Sequence, residues 1–166
     1  MNIKNLGIEK TFVLACQNHK KNNFKVAEKL YKEILKINSN HFQTVYLLGT
    51  LSLQTKNLRE AKQLFDKVLI IDPNHAPARN NLGLVFKELG EPQKALRCFQ
   101  KAIEIQPNYG PTHNNLGQLF IEFKEFQKAL NHCQKAIEIQ PNHAPTHNML
   151  GLVFKELEMP QKALDC

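Results

Sequence analysis

Between residues 76 and 109 the chain carries two amphipathic patterns back to back. Leu82, Val85, Phe86 and Leu89 follow the spacing of one helix face. Ala95, Leu96, Phe99, Ala102 and Ile103 follow it again on a second. Pro77 stands in a first helical turn, where the amide has no intrahelical partner. Gly90 ends the first helix as a residue free to take positive φ, and Pro92 opens the second. Pro107 ends that one, because proline lacks a donor and disfavours helix in the residue before it; Asn108 adds turn chemistry. The pattern predicts two helices of about 13 residues, each roughly 20 Å long.

The same pattern returns at a step of 34 residues. Gly49, Gly83, Gly117 and Gly151 keep that step, as do Ala27, Ala61, Ala95, Ala129 and Ala163, and Pro73, Pro107 and Pro141. Neither helix of a unit hides its apolar stripe alone. Paired antiparallel through a short turn, each buries one face on its mate and offers another to the next unit. The fold class expected is all-α: a solenoid of antiparallel helix-turn-helix repeats with a 34-residue period. One array over residues 1–166 is expected, with units of about 8–41, 42–75, 76–109, 110–143 and an incomplete 144–166. Gly83 and Ala95 are small where the paired helices should cross, since a leucine at either place would force the backbones apart.

The units are not equally alike. Residues 101–108 and 135–142 are both KAIEIQPN, and residues 76–98 differ from 144–166 at six of 23 positions, as after an internal duplication. The first unit diverges: Ala15 takes the glycine place, Tyr31 the aromatic place and Ser39 the proline place. The last unit stops at Cys166 before its aromatic place, with no polar capping helix after it. A fragment of a longer protein is one expectation from this. Concentration-dependent association of copies through the open C-terminal end is the other.

Composition supports a folded, soluble chain, 42% hydrophobic and 22% charged, with no apolar run of membrane-spanning length. No secretion signal is read at the start. Cys16, Cys98, Cys133 and Cys166 are far apart, without a C-x-x-C pair or a glycosylation sequon, so reduced thiols in the cytoplasm are expected. Residues 1–41 hold eight lysines against three acids, and most of the net charge of +7 lies there. Lys25, Lys29, Lys32 and Lys36 step along one side of a helix. Such a stripe can attract an acidic partner, nucleic acid or an anionic membrane surface, or be a solvated face. No aromatic residues interleave for base stacking, which argues against nucleic acid.

Enzyme signatures are absent: no G-x-x-x-x-G-K-[ST], G-x-G-x-x-G, G-x-S-x-G or H-E-x-x-H. His143 and His147 are four apart, and His75 and His113 hold related places. No cysteine or carboxylate cluster joins them, so structural roles are expected and no metal or cofactor.

These residues resemble the tetratricopeptide repeat family. The L-G-x-x-aromatic portion reads Leu82-Gly83…Phe86, Leu116-Gly117…Phe120 and Leu150-Gly151…Phe154; the A-x-x-x-F portion reads Ala61…Phe65 and Ala95…Phe99. The family's tryptophan is missing throughout, replaced by Thr11, Val45, Arg79, His113 and His147, which implies slightly weaker packing within a unit. The resemblance implies a concave groove lined by first helices. Its residues would be Tyr46, Thr50, Asn80, Asn81, Leu84, Lys87, Asn114, Asn115, Gln118, Asn148, Leu152 and Lys155. Asn80, Asn114 and Asn148 would form a ladder able to clamp an extended peptide backbone, since an amide both donates and accepts. The NNLG wording is similar to the repeat arm of the O-linked N-acetylglucosamine transferases. A carboxylate clamp for acidic C-terminal tails is not expected: its first lysine place holds Phe12, Tyr46, Asn80, Asn114 and Asn148. The function implied is a non-catalytic scaffold that binds a peptide or protein segment. The alternatives are the recognition arm of a larger glycosyl- or sulfo-transferase continuing past Cys166, and an assembly scaffold that stacks on itself.

Overall fold

The computed structural model describes residues 3–159, with side chains from Gly7 to Met159. Among the described residues there are nine α-helices and no strand. They are α1 (Ile3–Lys20), α2 (Phe24–Ile37), α3 (Phe42–Gln54), α4 (Leu58–Ile71), α5 (Ala76–Glu88), α6 (Pro92–Ile105), α7 (Gly110–Glu122), α8 (Phe126–Ile139) and α9 (Ala144–Glu156). Odd-numbered helices are the first of each repeat and even-numbered ones the second. The chain divides into two compact units, Met1–Val85 and Phe86–Cys166, with the boundary inside α5.

In the first unit α1 packs on α2, α2 on α3 and α3 on α4. Ala15, Ala27, Tyr31, Leu48 and Leu51 form a buried cluster, with Phe12, Leu30 and Leu64 packed against it. The divergent first repeat therefore uses Ala15 and Tyr31 as core, in the places of glycine and aromatic residue. Gly49 lies hard against α4: an added Cβ would meet Phe65 Cε1 at 3.0 Å. In the second unit α6 packs on α7, α7 on α8 and α8 on α9. The same close approach recurs there, where a Cβ on Gly117 would meet Cys133 Sγ at 2.8 Å. Ala61, Ala95 and Ala129 are fully buried, so both small places of the repeat are packing positions.

Turn chemistry sets the step between helices. After each first helix the chain takes one residue at positive φ: Asn22, Lys56, Gly90, Lys124 and Glu158. The hydrogen bonds are those of a Schellman motif, with Glu91 N donating to Phe86 O at 2.9 Å and Gly90 N to Lys87 O at 3.0 Å. Lys124 and Glu125 make the equivalent pair with Ile121 and Phe120, both at 2.9 Å. After each second helix a tight turn follows, as in Tyr109 N to Gln106 O at 3.1 Å, and Pro73, Pro107 and Pro141 preset φ inside all but the first, where Ser39 stands. α4 starts with a reciprocal cap: Asn57 Oδ1 accepts from Glu60 N, and Asn57 Nδ2 donates to Glu60 Oε2 at 2.7 Å.

Candidate functional site

In the first unit Tyr46 on α3 meets Asn81 on α5, with Thr50 on the helix of the former and Asn80 and Leu84 on that of the latter. Asn80 Nδ2 donates to Asn81 Oδ1 at 3.3 Å, and Asn81 Nδ2 donates to the Tyr46 hydroxyl at 3.4 Å. This relay joins α5 to α3. Asn80 is only 3% exposed, so its side chain belongs to the packing between helices. Tyr46 and Asn81 are half-buried, as is Leu84. Thr50 turns its hydroxyl back to the Tyr46 carbonyl at 3.1 Å. His75 packs edge-on to both Tyr46 and Phe42, with ring centroids 5.0 and 5.1 Å apart. Burial raises the pKa of the Tyr46 phenol and lowers that of the His75 imidazole; the Asn81 bond opposes the first shift and Asp72 the second.

The second unit is laid out differently. Asn114 Oδ1 accepts a 2.8 Å bond from the buried Thr146 hydroxyl, and that hydroxyl in turn lies 2.6 Å from His143 Nδ1. Thr146 has one proton and gives it to Asn114, so His143 Nδ1 carries the hydrogen that it donates to Thr146. Half of the Asn114 amide is thus spent on fixing α7 to α9. Its NH₂ group is the part left over. Gln118, one turn further along α7, is exposed, and so are Asn148, Leu152 and Lys155 on α9. Asn115 is half-buried. Lys87, expected in the groove, is ion-paired with Glu122 at 2.9 Å, which neutralises its charge. The asparagine places therefore span three environments: Asn80 buried, Asn114 half-buried, Asn148 exposed. Thr146 and His143, which orient Asn114, repeat the spacing of Thr44 and His41, a recurrence that sequence reading missed.

Three sequence models of the tetratricopeptide repeat match this chain: one at residues 76–109 and again at 111–143, a second at 19–83 and a third at 132–165. The chain belongs to the tetratricopeptide repeat family. No curated protein matches it. Among solved structures, MamA from Desulfovibrio magneticus RS-1, residues 41 to the end, has a TM-score of 0.81 at 21% identity, covering 99% of this chain and 92% of that one. TTC0263, a thermophilic TPR protein in Thermus thermophilus, gives 0.79 at 17% identity, covering 95% and 87%. YrrB, a TPR protein with an unusual peptide-binding site, gives 0.70 at 23% identity, covering 99% and 88%. At such identities the likeness shows the fold: an α-solenoid of tetratricopeptide repeats.

Seen as a tetratricopeptide array, the chain has a distinctive substitute for the missing tryptophan. At that place Arg79 Nη2 donates to the Pro73 carbonyl at 2.9 Å. His113 Nε2 lies 2.8 Å from the Pro107 carbonyl and His147 Nε2 lies 2.7 Å from that of Pro141. Each side chain reaches back to the turn that precedes its helix and satisfies a carbonyl there. In the second repeat, where Val45 has no donor, Lys67 Nζ takes the equivalent Ser39 carbonyl at 2.5 Å. A carbonyl only accepts, so His113 carries its proton on Nε2. Its Nδ1 then accepts from His132 Nδ1 at 3.0 Å, and the His132 ring stacks on Phe120. Burial, then repulsion from His113 once that ring is protonated, pushes His132 down to about 4. His75 Nδ1 accepts from Ala78 N at 3.1 Å, and His41 Nδ1 pairs with Thr44 Oγ1 at 2.7 Å. These histidines serve turns and helix starts. Among the described residues no three His, Cys, Asp or Glu side chains gather as a metal site would need. No helix among them is long and apolar enough to cross a membrane.

Proposed function

We propose that this chain is a non-catalytic scaffold whose first helices hold a peptide or protein segment. Asn114 carries the reading. Thr146 fixes the orientation of its amide and occupies its oxygen, which leaves the NH₂ as a pre-set donor for a backbone carbonyl of the ligand. Gln118 lies one turn away on the same helix, and Asn148 and Lys155 add donors on α9. In the first unit Tyr46, Thr50, Asn81 and Leu84 are the corresponding contacts, with Asn80 behind them as support, and Lys87, Asn115 and Leu152 complete the lining in the second. A single array over residues 1–166 and a cytoplasmic setting belong to the same proposal. The absence of chemistry is part of it too: the Cys133 thiol is pushed up to about 11 by burial, far from a usable thiolate. Selection of peptides from a random library on the intact chain tests this, repeated with Asn114→Ala/Asn148→Ala. Peptides that bind the parent and lose about tenfold or more on the variant support the proposal. Enriched peptides that bind both equally refute it.

Self-association is the accompanying reading. The C-terminal end expected to carry it, residues 160–166, lies outside the described residues. Light scattering over rising concentration should show a mass above that of one chain. A constant mass of one chain rejects the idea.

A further inference from the structure

The outer side of α2 and α4 forms a second surface, separate from the first helices. Lys25, Lys29 and Lys36 run along α2 over about 16 Å. All three are exposed, and none is in an ion pair among the described residues. Lys32, in the same stripe, is tied down: its ammonium bridges Glu28 at 2.5 Å and Glu60 of α4 at 3.0 Å. Together with the bond from Lys67 on α4 to the Ser39 carbonyl, that bridge sets α2 and α4 side by side. Arg59 and Ile70 of α4 occupy the places of Lys25 and Lys36. Ile70 is 80% exposed, in a place where other repeats carry Lys36, Glu104 and Glu138. Ile37, at the end of α2, is 61% exposed. Glu33 on α2 offsets one of these charges.

We infer that this face docks the protein on an anionic bilayer surface. Free lysines at helical spacing make a diffuse positive field, and apart from Arg59 these cations lack the planar fork that fixes one carboxylate or phosphate. A fluid surface of many headgroups needs no such fixed geometry, and projecting aliphatic side chains beside the cations can enter the headgroup boundary. The large hydrophobics exposed in this unit are all aliphatic, which removes the stacking that single-stranded nucleic acid would use. The contact is peripheral and leaves the first helices free for a ligand.

Co-sedimentation with phosphatidylcholine vesicles, with and without about one third phosphatidylserine, tests the assignment. Wild-type chain should bind only the anionic vesicles, more weakly at high salt. Lys25→Gln/Lys29→Gln/Lys36→Gln should weaken binding roughly a hundredfold. Ile70→Ser should weaken it about tenfold, with the circular dichroism melt unchanged because the side chain faces solvent. Equal binding to both vesicles, or indifference to either variant, overturns the inference. So does tighter binding to polyglutamate or duplex DNA than to the vesicles, unaffected by Ile70→Ser.

Discussion

Replacing Gly117 by alanine probes the contact that sets the spacing between paired helices. The new Cβ would lie 2.8 Å from Cys133 Sγ, where ordinary contact begins at 3.4 Å. Cys133 is fully buried, so the sulfur has little room to retreat. Overpacking of this kind costs about 1–3 kcal/mol. Alanine returns about 1 kcal/mol of helix propensity relative to glycine, so the net destabilisation should be about 0–2 kcal/mol. Cys133→Ala alone removes buried contacts for about 1 kcal/mol, and it also removes the obstacle. In that background Gly117→Ala should become stabilising by up to about 1 kcal/mol. The double-mutant cycle should therefore show a coupling of about 1–3 kcal/mol. Urea unfolding followed by helical circular dichroism reads it, with the slope checked for constancy because repeat arrays can lose cooperativity. Additivity of the two substitutions within about 0.5 kcal/mol would refute the close approach.

Two further outcomes follow from local geometry. His132 titrates near 4 when folded against an ordinary 6.5, so the unfolded chain takes up a proton first as pH falls. The stability this provides is complete above about pH 6.5 and lost progressively towards pH 4. His75 is lowered in the same direction. The urea midpoint should fall across that window, and His132→Leu, the residue at the same place in the first two repeats, should flatten the fall; an unchanged slope contradicts the burial of this ring. Lys124 sits at φ 59°, in the place where Gly90 takes 73°. Lys124→Gly should stabilise by about 0.5–1 kcal/mol, seen as a raised thermal midpoint, and a lowered one would show that the lysine side chain matters more than its backbone.

The repeat period carried most of the fold. Gly90 does take positive φ, α6 does begin at Pro92, and Gly49 and Gly117 do lie against the second helix of their own repeat. Packing at each of these positions is repetitive, so spacing alone exposes it. The site was less legible. Asn80, Asn114 and Asn148 are one residue type at one place, yet their exposure differs because their neighbours differ. The family's missing tryptophan suggested only weaker packing. The structure instead shows Arg79, His113 and His147 reaching the Pro73, Pro107 and Pro141 carbonyls. A proline followed six residues later by a side-chain donor was visible in the sequence. What it bonds is decided by a turn that brings the two together, and periodicity is silent about that.

The most direct test of the scaffold account is nitrogen–proton correlation NMR of the labelled chain, titrated with a peptide selected on it. The account predicts shifts concentrated on the side-chain amides of Asn114, Gln118 and Asn148, with those of Gln100 and Gln134 on the second helices unmoved. Shifts confined to second-helix amides, with Asn114 and Asn148 silent, would contradict it.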